Sequence, residues 1–276
     1  MRLRSLLFVP GDRPDRFEKA LASGADALIL DLEDSVTAER KDVAREAVAA
    51  FLKGSHPAHI FVRVNPLDSQ WIAADAQVAQ TADGVVLPKA EGAASVTALA
   101  ALLRADAPPI LPIATETPRA VFALAEYGAV ADRLCALTWG AEDLPAAIGA
   151  ATSRHDDGSY TDPYRMIRAL TLFGAHAAGV AAIETVYPAI KDGDGLARYA
   201  MAGARDGFTG MMAIHPAQVD AINRAFTPAP EAVAAARAVV DAFAASPGAG
   251  ALQLDGRMVD APHLKQAQAL IARAGG

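Results

Sequence analysis

Short apolar runs recur along the chain, and stretches with the spacing of amphipathic helices separate them. Within each run the apolar residues do not alternate with polar ones, a pattern typical of strands buried on both faces of a parallel sheet. Eight runs predict strands at Ser5–Val9, Ala27–Asp31, Ile60–Val64, Gly84–Leu87, Ile110–Ala114, Leu134–Thr138, Ala181–Val186 and Gly210–Ile214. The intervening segments, among them Arg16–Ser23, Ala38–Leu52, Ala93–Ala105 and Pro118–Ala125, predict helices.

Eight strand–helix units favour an α/β fold of the (β/α)₈ TIM barrel type, which is typically about 250 residues long. A G-x-G-x-x-G motif is absent after the first strand, which counts against an open dinucleotide-binding sheet. We therefore predict a catalytic barrel over residues 1–225 and a C-terminal helical extension over 226–276. In that extension Pro230–Ala245 and His263–Arg273 predict helices, and we expect Leu252–Pro262 to be a mobile connection.

The composition narrows the class of protein. With 53% hydrophobic and 21% charged residues, the chain can form a large core, which excludes a disordered protein. The net charge of −7 opposes a nucleic-acid partner. The single cysteine, Cys135, excludes an intramolecular disulfide and predicts a cytoplasmic protein. No apolar run is long enough to span a membrane. Together with the charge and the cysteine count, this predicts a soluble intracellular protein, and we expect an enzyme that acts on a small molecule.

Charged residues follow at least six of the predicted strands. The active sites of TIM barrels lie where the strands end. The residues in question are Arg13, Asp31, Glu33, Asp34, Arg63, Lys89, Glu116, Glu142, Asp143 and Glu184. Because buried carboxylates are costly unless they are paired or bound to a metal, this pattern predicts a polar site at one mouth of the barrel.

Glu116 and Asp143 are the candidate metal ligands. Mg²⁺ typically takes one or two protein carboxylates and fills its other positions with water and substrate oxygens. The alternative is that one of the two residues caps the helix that follows it, and the residues alone leave both interpretations open.

Arg63 ends an apolar strand and could bind a substrate carboxylate with two parallel hydrogen bonds. It could equally pair with Glu33 or Asp34, and both arrangements can coexist. Asp31 and Glu33 face the same way on an extended segment, so one of them could orient Arg63. For Asp34 the alternative is a cap on a helix starting near Ser35.

Three further features have two interpretations each. Arg13, Arg16 and Lys19 could anchor phosphates, or form a solvated helix face balanced by Asp15 and Glu18. Lys89 could form a Schiff base, but we expect a structural or accessory charge. His215 is the only histidine that follows the end of a predicted strand, and the absence of an H-E-x-x-H motif argues against a zinc hydrolase.

Eight motifs in order carry a family resemblance: LLFVPGDRPDRFEKA (6–20), LILDLEDSV (28–36), RVNP (63–66), LPKAE (87–91), ETPRA (116–120), GAEDL (140–144), AIHPAQ (213–218) and DGRMVDAPH (255–263). Together they resemble the citrate lyase β-subunit-like CoA ester lyases of the HpcH/HpaI aldolase–citrate lyase superfamily, which includes malyl-CoA and citramalyl-CoA lyases. The resemblance spans essentially the whole chain.

The resemblance implies roles for particular residues. It implies Mg²⁺, with Mn²⁺ as the alternative, on Glu116 and Asp143, and a catalytic Arg63 that also binds the keto acid. It assigns the remaining roles as follows: substrate contacts for Glu33, Asp34, Glu116, Ala141 and Glu142, CoA contacts for Phe8, Arg13 and Lys19, and acid/base catalysis for Asp260. Asp260 would lie on a flap that closes over a neighbouring subunit's site.

The implied activity is cleavage or formation of the C–C bond of a 3-hydroxyacyl-CoA of the malyl, citramalyl or citryl type. The alternatives are an acyl-CoA thioesterase or malate-synthase-like activity on the same scaffold, and a metal-dependent pyruvate aldolase. The expected partners are a CoA thioester, a keto acid and further copies of the chain in a homotrimer or hexamer, with citrate lyase α and γ subunits as an alternative. Relatives commonly carry Lys where this chain has Met211, and Asp where it has Glu184, which leaves the acyl group open.

Overall fold

The computed structural model describes residues 1–275, and eight parallel strands in it form one sheet. The strands are β1 (Ser5–Pro10), β2 (Ala27–Asp31), β3 (His59–Arg63), β4 (Gly84–Leu87), β5 (Ile110–Pro112), β6 (Ala136–Thr138), β7 (Ala181–Glu184) and β8 (Gly210–Ala213). Their order in the sheet is β5-β4-β3-β2-β1-β8-β7-β6. Backbone hydrogen bonds join the two edges, from Ala114 to Thr138 at 2.9 Å and from Cys135 to Ile110 at 3.1 Å. The predicted TIM barrel is confirmed.

Helices alternate with these strands and continue after them. They are α1 (Phe17–Leu21), α2 (Lys41–Phe51), α3 (Ile72–Ala79), α4 (Ala93–Leu102), α5 (Pro118–Phe122), α6 (Asp143–Ile148), α7 (Asp162–Ala178), α8 (Gly193–Asp206), α9 (Val219–Ala225), α10 (Pro230–Ala245) and α11 (Ala261–Gly275). Short 3₁₀ segments occupy Pro14–Arg16, Ala38–Arg40, Leu124–Arg133 and Pro216–Gln218. No helix among residues 1–275 combines the length and apolar character needed to cross a membrane.

The barrel interior is filled by side chains from most of its strands. Leu6, Ile29, Phe61, Val86 and Met212 belong to one buried cluster that also contains Ile183 and Leu111. Each fully buried aliphatic or aromatic side chain contributes about 1.5–3 kcal/mol relative to exposure. β2 and β4 are buried at every position, which explains why their sequences show no polar alternation.

The register of the strands sets the geometry of the mouth. Pro10 of β1, Asp31 of β2 and Arg63 of β3 are register partners, so the ends of three strands lie side by side. Several strands end earlier than the apolar runs predict. β7, for example, ends at Glu184 rather than Val186, so Thr185 and Val186 lie in the loop that follows.

The chain divides into two compact units, Leu3–Asn223 and the part from Arg224 onward together with Met1 and Arg2. In the second unit α10 and α11 flank an antiparallel hairpin of β9 (Ala251–Leu254) and β10 (Arg257–Asp260). The mobile connection predicted over Leu252–Pro262 is therefore wrong. Asp255 and Gly256 form the two-residue loop with φ of 49° and 77°, and an Asp-Gly pair favours such a hairpin turn. The functional division at residue 225 stays a prediction.

Candidate active site

A cavity of about 490 Å³ opens where the strands of the barrel end. Its lining consists of Phe8, Pro10, Arg16, Asp31, Asp34, Ser35, Arg63, Ile113, Glu116, Gly140, Ala141, Glu142, Asp143, Thr185, Val186, Met212 and Ile214. Most of the site residues predicted from the sequence thus meet at one place. Glu33 lies behind this lining, where it is buried. The loop and helix after β1 present Arg16 to the cavity, whereas Arg13 and Lys19 are absent from its lining.

Arg63 is held by two buried carboxylates, Asp31 and Glu33, which together form a carboxylate cradle. Its Nε and Nη2 donate to the two oxygens of Asp31 at 2.6 and 2.7 Å. Its Nη1 lies 2.8 Å from Oε2 of Glu33, and its guanidinium stacks 4.9 Å from the centre of the Phe8 ring. Burial opposes the charge of Arg63, but Asp31 and Glu33 outweigh it and raise the pKa of the guanidinium. The salt bridge considered from the sequence is present while Arg63 also lines the cavity, so both arrangements coexist.

The paired carboxyl of Asp31 stays ionised although it is almost fully buried. Burial acts to raise its pKa, but the charge of Arg63 and hydrogen bonds from Arg63 and Ser35 outweigh burial and lower it. Because Ser35 donates to Asp31 and the next helical turn begins only after Thr37, Asp34 caps no helix at Ser35. That alternative is wrong, and Asp34 is an exposed residue at the edge of the cavity.

Glu116 follows β5 and is only 6% exposed. Burial, together with the negative charges of Glu33 and Asp143, raises its pKa to about 8. The backbone N–H of Lys89 donates to its Oε2 at 2.5 Å. Thr117 supplies the cap of α5 by accepting from Ala120, so Glu116 is free of that role. A buried, charge-repelled carboxyl of this kind favours a bound cation.

Asp143 is the first residue of α6 and lines the cavity. Glu142 occupies the N-cap position and makes no side-chain capping hydrogen bond within residues 1–275, and Asp143 lies inside the helix, so the capping alternative for Asp143 is also wrong. Its Oδ2 lies 3.8 Å from the ammonium of Lys89. Within residues 1–275 no cluster of three or more His, Cys, Asp or Glu side chains is arranged to hold a metal. A cation between Glu116 and Asp143 would take its remaining ligands from water or substrate, as Mg²⁺ commonly does.

Lys89 connects the Arg63 side of the site to the candidate metal ligands Glu116 and Asp143. Its Nζ donates to Oε1 of Glu33 at 2.6 Å, and Glu33 in turn pairs with Arg63. The backbone of Lys89 is left-handed, with φ of 50°, which is uncommon for a residue with a side chain. This conformation places its N–H on Glu116 and its side chain on Glu33. An accessory charge was predicted, and the structure shows a connected series of ion pairs from Asp31 to Asp143.

Gly140 lies against Glu116, and a Cβ at this position would lie 2.9 Å from Cγ of that residue. We predict that Gly140→Ala displaces the Glu116 side chain and weakens Mn²⁺ binding about tenfold, a change of about 1.4 kcal/mol. Calorimetric titration of the metal-free protein with Mn²⁺ measures this. Gly128→Ala is the matched control, because a Cβ there meets no atom within 4 Å. Equal Mn²⁺ affinities in the two variants would contradict the prediction.

Glu184 does not reach the mouth of the barrel, which corrects its place among the charged strand ends. It is fully buried, and its Oε1 accepts from Trp139 at 2.6 Å and from Tyr199 at 2.8 Å. Its Oε2 accepts from Arg168 at 2.6 Å. Glu184 therefore ties β7 to the surrounding helices, and its neighbour Thr185 lines the cavity instead.

We expect Glu184→Gln to destabilise the protein by about 2–4 kcal/mol, because Arg168 keeps a largely buried charge without its closest partner. Urea unfolding measures this change. Substrate KM should stay within twofold of wild type, since Glu184 lies outside the cavity lining. Asp206→Asn, which removes the other partner of Arg168, serves as the control for loss of one ion pair.

Two other strand-end residues have local roles. His215 accepts from the backbone N–H of Ala217 and caps the 3₁₀ turn that follows β8. Met211 is fully buried and outside the cavity lining, whereas Met212 points into it. The departure at Met211 therefore leaves the cavity wall unchanged.

Asp260 ends β10 in the C-terminal unit. Its Oδ1 lies 2.5 Å from Nδ1 of His263, and this contact lowers the pKa of the Asp260 carboxyl. Its catalytic role stays a prediction.

Sequence reasoning missed a buried group behind the cavity formed by Lys41, Asn65 and Asp75. Asp75 accepts from the backbone and side chain of Asn65 at 2.9 and 2.6 Å. The only signal in the sequence was the RVNP motif that contains Asn65. The lysine and the aspartate fall at ordinary helix positions.

Comparison with known proteins decides the family. The model of the HpcH/HpaI aldolase/citrate lyase family matches residues 4–216, which include the first six motifs and the start of the seventh. The chain belongs to this family of carbon–carbon lyases. The resemblance seen in the eight motifs is thereby confirmed.

Two relatives and one solved structure show how far the similarity of this HpcH/HpaI family member extends. A citrate lyase subunit beta-like protein of Mycobacterium tuberculosis is 40% identical over 98% of this chain and 94% of its own length. A (3S)-malyl-CoA thioesterase of Cereibacter sphaeroides is 34% identical over the same shares. The crystal structure of protein CitE from Mycobacterium tuberculosis in complex with magnesium, acetoacetate and coenzyme A matches with a TM-score of 0.85 and 36% identity, covering 100% of this chain and 99% of that one.

Proposed function

We propose that the protein is a Mg²⁺-dependent lyase that cleaves, or in reverse forms, the C–C bond of a 3-hydroxyacyl-CoA of the malyl, citramalyl or citryl type. The observation that carries the proposal is the meeting of Arg63 with Glu116 and Asp143 on one cavity. A guanidinium opposite a carboxylate pair suits a substrate that has both a carboxylate and a metal-chelating oxygen. The relative solved with magnesium, acetoacetate and coenzyme A supports the same ligand classes.

Glu116 and Asp143 would hold the cation, and their chemistry fits Mg²⁺ or, as the alternative, Mn²⁺. Both are oxygen donors, and the pKa of Glu116, raised to about 8, reflects the absence of a nearby positive charge large enough to offset burial. When bound, Mg²⁺ supplies Lewis-acid polarisation of the substrate hydroxyl or keto oxygen. The ion pair between Glu33 and Lys89 would hold the Arg63 side of the site in a fixed position relative to the metal ligands.

Arg63 would bind the carboxylate of the keto-acid portion. Its guanidinium is fixed by Asp31 and Glu33, so little side-chain freedom remains to be lost on binding. Asp34, Ala141 and Glu142 line the same cavity and would complete the substrate contacts. Phe8 and Arg16 would face the CoA portion, with Arg13 and Lys19 further along the same basic segment.

In cleavage the substrate hydroxyl loses its proton to solvent, a C=O bond forms, and the C–C bond breaks. The electron pair of that bond passes to the thioester, which leaves as an enolate. We assign Asp260 to take up a proton from solvent and to pass it to the α-carbon of this enolate, yielding acyl-CoA and the keto acid. In condensation its carboxylate takes the same proton back, and the lowered pKa of Asp260 favours this ionised form at neutral pH.

A panel of thioesters tests the function. Malyl-, citramalyl- and citryl-CoA are incubated with the protein and Mg²⁺, and keto acid and free CoA thiol are measured separately. We expect equal amounts of keto acid and acetyl-CoA without free thiol. Free CoA without keto acid would instead establish a thioesterase, the activity for which the Cereibacter sphaeroides relative is named. Turnover of free pyruvate with aldehydes and not of thioesters would establish an aldolase.

Asp260→Asn is expected to reduce cleavage at least a hundredfold, because removing a positioned acid/base group typically costs 10²–10⁴-fold, and KM should change little. Asp255→Asn in the turn of the same hairpin is the control, since Asn tolerates the left-handed backbone found there. Steady-state kinetics of both variants provide the comparison. Wild-type cleavage by Asp260→Asn would remove the assigned role.

We further propose that the active form is a homotrimer or hexamer in which Asp260 serves a neighbouring subunit's cavity. Mixing Asp260→Asn with Glu116→Gln subunits then creates some sites that carry both intact residues. Partial recovery of cleavage in co-refolded mixtures is the expected result. Complete inactivity of mixtures in which subunits have exchanged would show that each chain uses its own Asp260.

A further inference from the structure

Lys41 is a buried lysine that the proposed chemistry does not use. It is the first residue of α2 and only 5% exposed. Its Nζ donates to the backbone oxygens of Leu32 and Glu33 at 2.7 and 2.8 Å, and to Oδ1 of Asn65 at 2.7 Å. All three acceptors are uncharged, and the ring of Trp71 lies 5.1 Å away. An ammonium that leaves water for neutral partners pays a desolvation cost that a purely apolar residue would avoid.

The segment held by Lys41 carries the carboxylates that hold Arg63. Asp31 lies immediately before Leu32, and Glu33 immediately after it. The amide of Asn65 also donates to the Leu32 oxygen, at 2.8 Å, so two donors fix this single peptide. The position of Arg63 therefore depends on the backbone between Asp31 and Glu33, and that backbone is held from behind by Lys41.

The surrounding charges favour the ammonium form. Burial lowers the pKa of Lys41 below its usual value, although the negative charges of Asp31, Asp75, Glu33 and Asp34 act in the opposite direction. Lys41 thus adds one positive charge behind a cradle whose front carries Arg63. A methionine of similar length could fill the volume, but Oδ1 of Asn65 would lose its donor and the backbone oxygens of Leu32 and Glu33 would each lose one of two donors.

We propose that Lys41 is a positioning residue for keto-acid recognition: its ammonium fixes the Leu32–Glu33 backbone and thereby holds Asp31 and Glu33 on Arg63. The inference rests on the proposed function, in which Arg63 receives the carboxylate of the keto acid. Lys41 is not part of the cavity lining, so it would touch neither substrate nor metal. Its removal weakens binding at the keto-acid end of the cavity and leaves the CoA end, near Arg16, unchanged.

Arg45 provides a matched control on the same helix. It lies one turn after Lys41 and pairs with the buried carboxylate of Asp75 at 3.0 Å, which in turn holds Asn65. Arg45→Met therefore removes a cation from the same buried group without removing a donor to the Leu32–Glu33 backbone. A loss of stability alone would affect both variants, whereas the positioning role belongs to Lys41.

The experiment compares wild type, Lys41→Met and Arg45→Met by calorimetric titration with oxaloacetate or pyruvate in Mg²⁺, and with CoA. We expect Lys41→Met to weaken keto-acid binding at least tenfold and to leave the Kd of CoA within twofold. Arg45→Met should leave both within twofold. Keto-acid affinity within twofold of wild type in Lys41→Met, or an equal loss in Arg45→Met, would overturn the inference. If Lys41→Met fails to fold, Lys41→Gln retains one donor and should show a smaller loss in the same direction.

A second measurement separates this inference from the proposed function. The Nε–H of Arg63 is buried and donates to Asp31, so its rate of hydrogen exchange reports how firmly the cradle holds Arg63 when no ligand is bound. Its signal is assigned as the one that is missing from Arg63→Lys. Exchange at least tenfold faster in Lys41→Met, and unchanged in Arg45→Met, supports the positioning role even if wild type binds no keto acid. In that event the proposed function alone fails. Unchanged exchange in Lys41→Met rejects the positioning role directly.

Discussion

Replacing Arg63 with methionine is expected to lower the free energy of unfolding by about 3–5 kcal/mol, the usual cost of leaving a buried charge without its partner. Asp31 is 1% exposed and would lose both hydrogen bonds from the guanidinium. Glu33, also buried, would retain only Lys89. Urea unfolding at neutral pH measures the change, and the same variant should show no detectable cleavage of thioesters.

A double-mutant cycle with Asp31→Asn distinguishes a broken ion pair from a packing defect. Asn at position 31 removes the charge that Arg63 balances, so Arg63→Met should cost at least 2 kcal/mol less in the Asp31→Asn background than in wild type. Additive effects of the two substitutions would contradict the cradle described for Arg63. Arg13→Met, which breaks an exposed pair with Asp15, should leave the free energy of unfolding close to that of wild type.

The second large effect is a pH dependence caused by Glu116 in the metal-free protein. Its pKa is raised from 4.5 to about 8 by burial and by the charges of Glu33 and Asp143. The folded state therefore holds a proton that the unfolded state has released between these pH values. The stabilisation from Glu116 is complete below about pH 4.5 and is lost as pH rises through about 8. The loss should amount to about 4–5 kcal/mol.

Urea unfolding of wild type and Glu116→Gln in chelator, from pH 5 to 9, measures this difference. The stability of wild type should fall relative to the variant as pH rises, and the exposed Glu18→Gln should run parallel to wild type. Mg²⁺ should reverse the trend, because its binding requires the ionised carboxylate, and its affinity should rise up to about tenfold per pH unit below pH 8. A wild-type curve parallel to that of Glu116→Gln would contradict the raised pKa.

Much of the barrel could be predicted because its signals are local. Eight apolar runs without polar alternation mark strands buried on both faces, and the parallel sheet requires the helices between them. The ends of the strands are predicted less accurately, as β5 and β7 show, because a strand ends where its hydrogen bonds to the neighbouring strand end. The hairpin at Asp255-Gly256 was missed although its turn signal was present, since a polar surface hairpin lacks the apolar pattern of the core.

The candidate site likewise contains some residues that the sequence predicts and others that it does not. Arg63, Glu116 and Asp143 could be found because charged residues at the ends of apolar strands must converge in a barrel. Glu184 also lies at the end of an apolar strand, but its side chain points away from the cavity and accepts hydrogen bonds from Trp139, Arg168 and Tyr199. Lys41 lies on a helix, with no strand end to mark it, and its three acceptors lie in the loops that follow β2 and β3.

The sequence by itself determined the barrel, the family and the set of polar residues at the mouth, because hydrophobic pattern and motif order are properties of the chain. The tertiary structure decided how these residues are paired: which carboxylates hold Arg63, why the pKa of Glu116 is raised in the metal-free protein, and how Lys89 joins them. Pairing depends on distances and burial between strands far apart in sequence, and charge interactions change several-fold with both. For that reason it emerges only from the folded chain.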